Sequence, residues 1–80
     1  MYQIVEDEIE RLVDLIENNE IDRRETFCDY WDFEDEYSHN QIDEAQRRFE
    51  EKADEYINLN KLNYIVKYGC NNVIIEKDIV

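Results

Sequence analysis

Apolar residues near the start of the chain recur at helical spacing. Val5, Ile9, Leu12, Val13 and Ile16 fall three or four residues apart, which predicts an amphipathic helix over residues 2–18 with one inward face. Glu6, Glu10, Asp14 and Glu17 keep the same spacing and form an acidic stripe beside that face, while Asp7 and Glu8 lie within one turn of Arg11. Asn18 and Asn19 tolerate left-handed backbone and end the helix. Asp22-Arg-Arg-Glu25 then has the form of a capping box with Ile21 before it, predicting a second helix over 23–36. Phe27, Tyr30 and Trp31 would share one side of it, with Phe27 and Trp31 in the core. Phe33 falls off that stripe, so an extended or irregular 27–33 is the competing reading.

Ser38-His-Asn-Gln41 is a second capping box, and Tyr37 and Ile42 occupy the two positions of a hydrophobic staple. The helix it starts, over 39–58, turns Ile42, Ala45, Phe49, Ala53, Tyr56 and Ile57 inward. Its outer face pairs Asp43 with Arg47, Glu44 with Arg48 and Arg47 with Glu51. Beyond Asn58 the period shortens. Leu62, Tyr64, Val66 and Tyr68 alternate with other residues, Gly69-Cys-Asn-Asn72 reads as a turn, and a β-branched run follows. A C-terminal β-hairpin of about 61–68 and 73–79 is expected. The alternative keeps 59–68 helical with Gly69 as its cap. The fold class is therefore α+β, three helices and a hairpin in a single domain over 1–80.

Charge changes this picture more than composition does. The formal net charge is −13. Residues 1–46 hold sixteen acids against Arg11, Arg23 and Arg24, whereas 47–80 hold six acids and six bases. A one-signed field opposes compaction and steers partners. It repels nucleic acid and anionic membrane and favours a basic protein surface. The most concentrated stretch is Phe27–Tyr37, where aromatic rings interleave with Asp29, Asp32, Glu34, Asp35 and Glu36, and no base occurs from Cys28 to Gln46. The N-terminus reads as neither a signal nor a transit peptide, and no apolar run reaches membrane-spanning length, so a bacterial cytoplasmic location is expected. Cys28 and Cys70 are then reduced thiols.

No catalytic, nucleotide-binding or metal motif is present, and no enzyme activity and no cofactor are expected. His39, the single histidine, has no zinc-ligand spacing to Cys28, and the Asp29–Glu36 acids lack the glycine and alternation of a calcium loop. A carboxylate stripe on a helix sets charges about 5–6 Å apart, a spacing comparable to that of phosphates along one DNA strand. Glu6, Glu10, Asp14 and Glu17 have this geometry, and Asp29, Asp32 and Glu36 repeat it if 23–36 is helical.

In size, acidity and lack of proline and enzymatic motifs, the chain resembles the small inhibitors encoded by phages and mobile elements. These are the anti-CRISPR and anti-restriction proteins, several of them DNA mimics. The resemblance implies a stoichiometric inhibitor that blocks the nucleic-acid-binding surface of a CRISPR effector or other host defence nuclease. The expected partner-binding residues are Glu6, Glu10, Asp14, Glu17, Asp29, Asp32, Glu34, Asp35 and Glu36, with Tyr30 and Tyr37 as aromatic anchors. Two alternatives stand beside it. Acidic inhibitors of toxic nucleases, the bacteriocin immunity proteins and the barstar type, are similar in size and charge, and Gly69-Cys70 followed by Val73-Ile74-Ile75 resembles the C-terminal strand of the latter. A small adaptor that forms a homodimer by edge pairing of its C-terminal strand is the other.

Overall fold

In the computed structural model, which describes residues 3–78, the order of elements is α1 (Gln3–Glu17), β1 (Arg24–Phe27), α2 (Tyr30–Phe33), α3 (His39–Leu59), β2 (Tyr64–Tyr68) and β3 (Val73–Lys77). The class is α+β, with α1 and α3 packed on one face of a three-stranded antiparallel sheet in the order β1-β3-β2.

The long helices form where amphipathic spacing and caps agree. α1 buries Ile4, Val5 and Leu12, and Asn19 at φ 53 turns the chain out of it. α3 begins on the expected capping box, in which the Ser38 side chain accepts from the Gln41 N–H and the Gln41 side chain accepts from the Ser38 N–H. Such a cap contributes about 1 kcal/mol. The inward face of α3 carries Ile42, Ala45, Phe49, Ala53 and Ile57, all buried. The helix stops at Leu59 because Lys61 takes the left-handed conformation, φ 52, and the Leu62 N–H reaches back to the Ile57 carbonyl. Residues 64–68 are accordingly a strand, and the helical alternative for 59–68 does not occur.

Register decides which strand residues meet the helices. Phe27 and Tyr68 both lie opposite Val73, and Glu25 and Val66 lie opposite Ile75. Opposed residues share a face, so Phe27, Val66, Val73 and Ile75 are on the helix side, where Phe27, Val73 and Ile75 are fully buried. The Phe27 ring stacks on Phe49 at 5.0 Å between centroids. Thr26, Ile65, Lys67, Ile74 and Glu76 line the other face. Gly69 permits a close approach in the hairpin, since a Cβ there would collide with Asn72 Oδ1.

The second helix differs from expectation. Residues 24–27 are a strand and only Tyr30–Phe33 is helical, in place of one helix over 23–36. The cause is Cys28, which sits at φ 51 between the two elements. Its N–H donates to the Glu8 carboxylate at 2.9 Å, and its carbonyl accepts from the Gln46 side-chain amide at 2.8 Å. Both contacts come from the long helices and hold the chain in a turn that a continuous helix would forbid. Glu25 does not complete a capping box; its carboxylate accepts from the Thr26 N–H. Residue 2 of the first predicted helix and residue 79 of the predicted hairpin lie outside the described residues.

Candidate functional site

The acidic stripe is where the sequence placed it. With Val5 and Leu12 buried, Glu6, Glu10, Asp14 and Glu17 are all exposed along α1, outside that buried face. Among the described residues the ion pairs are Arg11–Glu8, Arg47–Asp43, Arg48–Glu44 and Lys67–Glu76, and none includes a stripe carboxylate. The one base of α1 is directed elsewhere. Arg11 binds Glu8 at 3.1 Å, donates to the Thr26 carbonyl at 2.6 Å and lies 4.3 Å over the Phe27 ring. It ties α1 to β1 rather than screening the stripe.

The second acidic group is rearranged. Asp29 is the N-cap of α2, with extended backbone (φ −68, ψ 126), and its carboxylate accepts from the Trp31 N–H at 3.1 Å. It is a structural cap before it is a contact residue. Asp32 lies in the single helical turn, and Glu34, Asp35 and Glu36 follow in turns closed by hydrogen bonds from the Glu36 and Tyr37 N–H groups to the Phe33 carbonyl. Asp32, Glu34, Asp35 and Glu36 are exposed and absent from the ion pairs named above. Because α2 is one turn long, Asp29, Asp32 and Glu36 do not make the second helical ladder expected of them. The two acidic groups lie on different elements and are linked through the Glu8–Cys28 hydrogen bond.

The rings sort differently from the sequence reading. Trp31, expected in the core, is 64% exposed. Tyr37 and Phe33 are half-buried against the core, with ring centroids 6.3 Å apart. Tyr30 is half-buried too; Trp31 meets it edge-on at 5.4 Å, and His39 lies on it at 5.3 Å. The protruding ring is therefore Trp31, with Tyr30 packed against it and Tyr37 holding the turn to the core. A signal for this was present: Asp29 as a cap starts a helix at Tyr30 and puts Trp31 in its first turn, clear of Phe27.

Behind this surface, Gln46 makes the joint. Buried on α3, it donates to the carbonyls of Cys28 at 2.8 Å and Asn71 at 2.9 Å, and the Asn71 carbonyl also accepts from the Tyr30 N–H. The hairpin turn and the start of α2 are thereby fixed to one helix. A small cleft of about 100 Å³ between Tyr30, His39, Asp43, Gln46 and Cys70 lies at this joint. Burial, reinforced by the Glu8 negative charge, pushes the Cys28 thiol up to about 12 against a partial offset from Arg11. At neutral pH it holds its proton and is no nucleophile. Among the described residues, no three or more His, Cys, Asp or Glu converge to hold a metal ion, and no helix is long and apolar enough to cross a membrane.

Fold and surface together define a small two-layer α+β module whose distinguishing chemistry is exposed carboxylate and one exposed indole. Comparison with family models, curated proteins and solved structures finds no match to this chain.

Proposed function

We propose that the protein is a stoichiometric inhibitor that docks its acidic surface on the nucleic-acid-binding face of a basic protein, and that the target is a host defence nuclease such as a CRISPR effector. The observation that carries this reading is the stripe Glu6, Glu10, Asp14 and Glu17, exposed on one helical face and in none of the ion pairs among the described residues. Folding leaves these like charges facing one another across water, which opposes compaction. A surface that supplies Arg and Lys relieves the repulsion and gains charge-assisted hydrogen bonds to each carboxylate. Asp32, Glu34, Asp35 and Glu36 extend the attraction around Trp31. The exposed indole face accepts a guanidinium by cation–π contact and buries apolar area, as interface anchors do. The target groups that fit such a surface are those that otherwise hold phosphates.

The test is capture of partners from a bacterial lysate on the tagged protein, followed by challenge with short duplex DNA. A nuclease or CRISPR component that is retained and then released by the duplex is the expected result. Asp32→Lys combined with Asp35→Lys changes two exposed positions that are in no ion pair among the described residues, so the fold is expected to persist while capture is lost. A partner that duplex DNA leaves in place, or one that the double variant still binds, would overturn the reading.

A further inference from the structure

The two edges of the sheet are treated differently. Antiparallel strands alternate hydrogen-bonded and non-bonded pairs, so one known bond fixes which backbone groups point outward. On β1, the Lys77 N–H donates to the Arg23 carbonyl, so residues 23, 25 and 27 bond to β3 and residues 24 and 26 face out. That edge is partly closed by side chains. Thr26 gives its N–H to the Glu25 carboxylate, and its carbonyl accepts from Arg11.

On β2, the Asp78 N–H donates to Asn63 and the Gly69 N–H donates to Asn72, so residues 63, 65, 67 and 69 bond to β3. Tyr64, Val66 and Tyr68 therefore direct their N–H and carbonyl groups away from the sheet, and among the described residues no strand lies beyond them. The usual guard of such an edge is a lysine. Here Lys67 is turned across the sheet surface to Glu76 on β3, at 3.3 Å, and leaves the edge open. Tyr68 is 49% exposed beside it.

We propose that β2 pairs with β2 of a second copy of this chain, antiparallel about a two-fold axis at Val66, to give one continuous six-stranded sheet. The edge is self-complementary. With Val66 opposite its own copy, Tyr64 meets Tyr68 of the second copy, and all three outward-facing residues meet outward-facing residues. Aromatic pairs opposed across strands are favourable, and they cover the exposed Tyr68. On the other face Ile65 meets Lys67, whose charge Glu76 already balances. The charge distribution selects this edge for self-association. No acid occurs in Tyr64–Tyr68, and residues 47–80 are net neutral, whereas residues 1–46 carry the whole charge of −13. The charged groups that act on Tyr68 are Glu50, Asp43 and Glu51 of α3 against Arg47 alone, a net negative set whose screening by salt favours the approach of a second copy. Arg11 ties the middle of α1 to the opposite, β1 flank.

The last strand of the described residues, β3, does not serve this role. β3 lies between β1 and β2 with both of its edges taken, which corrects the expectation that the chain's last strand would pair.

The test is sedimentation equilibrium over a range of protein and salt concentrations, together with amide hydrogen exchange on the unmodified protein. The expected result is a dimer that forms at higher concentration and is promoted by salt, with the Tyr64, Val66 and Tyr68 amides gaining protection as it forms. Val66→Pro removes an N–H that no internal strand uses, and Tyr68→Lys places a charge on the edge; each is expected to weaken dimerisation about tenfold or more. Circular dichroism establishes that the variants fold. A monomer at every concentration would overturn the proposal. So would a dimer in which those three amides exchange as fast as in the monomer, or one that both folded variants leave unchanged. Exchange on the unmodified protein decides the matter if a variant does not fold.

Discussion

Trp31 and Cys28 lie three residues apart and show how far a single position can depart from its residue type. An indole left 64% exposed makes few of the contacts that hold the fold, apart from its edge-on meeting with Tyr30. Trp31→Ala is therefore expected to change unfolding free energy by no more than about 0.5 kcal/mol. Binding to the captured partner should weaken by about 2 kcal/mol, the range of an interface anchor. Calorimetry of unfolding and of binding checks both, and a large stability loss with intact binding would remove Trp31 from the interface. Cys28 behaves in the opposite way. Its thiol is raised from 9.0 to about 12, chiefly by burial. Below pH 9 the folded and unfolded chains both hold the proton, and the contribution is complete. Between pH 9 and 12 the unfolded thiol ionises and the folded one does not, so stability declines by at most about 1.4 kcal/mol per pH unit. Denaturant unfolding at pH 8 to 11 should show a shallower decline for Cys28→Ser, because the other groups titrate alike in both proteins. Equal slopes would mean that the folded thiol ionises normally.

At the scale of elements, the Gln46 amide is the side chain that ties α3 to both the start of α2 and the hairpin, beside the Tyr30 N–H bond to Asn71. Gln46, buried on α3, donates to both Cys28 and Asn71. Removing it leaves two carbonyls without this donor, at a cost of about 1–3 kcal/mol. Gln46→Glu is the sharper change, since it keeps the shape and sets a carboxylate against two carbonyl oxygens. It should destabilise more than Gln46→Ala near pH 7 and recover as acid protonates the new side chain; no recovery on acidification would show that the donor is dispensable. The same joint explains what could be read from the chain alone. α1 and α3 were legible because a whole amphipathic face and, for α3, a complete capping box lie within each segment. β2 and β3 were legible from alternation and a turn. β1 was not, because Arg24–Phe27 has a polar, short pattern and pairs with Glu76–Val73 far along the chain. Neither was the break at Cys28, whose left-handed backbone is held by Glu8 and Gln46 rather than by any preference of cysteine. The site divided along the same line. The acids of α1 followed from helical period alone, while the exposure of Trp31 depended on a helix start that Asp29 supplies only once Cys28 has ended the strand.

For the whole molecule, the decisive quantity is a net charge of −13 on 80 residues, concentrated in the first 46. Salt then acts in opposite directions on folding and on binding. Apart from Arg11–Glu8, whose carboxylate is largely buried, the ion pairs among the described residues are at the surface, and each of these is worth about 0–1 kcal/mol. Screening them loses little, whereas screening the mutual repulsion of the unpaired stripe and turn carboxylates favours the compact state. At 0.1 M salt the screening length is about 10 Å, longer than the spacing of adjacent stripe charges, so the gain should continue as salt rises further. The melting temperature is expected to increase with sodium chloride. Affinity for a basic partner should fall over the same range, since the attraction across the interface is screened by the same ions. Thermal melts and binding titrations on one set of salt solutions test the pair of signs together. A melting temperature that drops with salt would mean that attractive pairs outweigh repulsion within the fold. Binding that is indifferent to salt would mean that Trp31 and apolar contact, rather than the carboxylates, carry recognition, and the phosphate-like spacing of the stripe would then have no part in it.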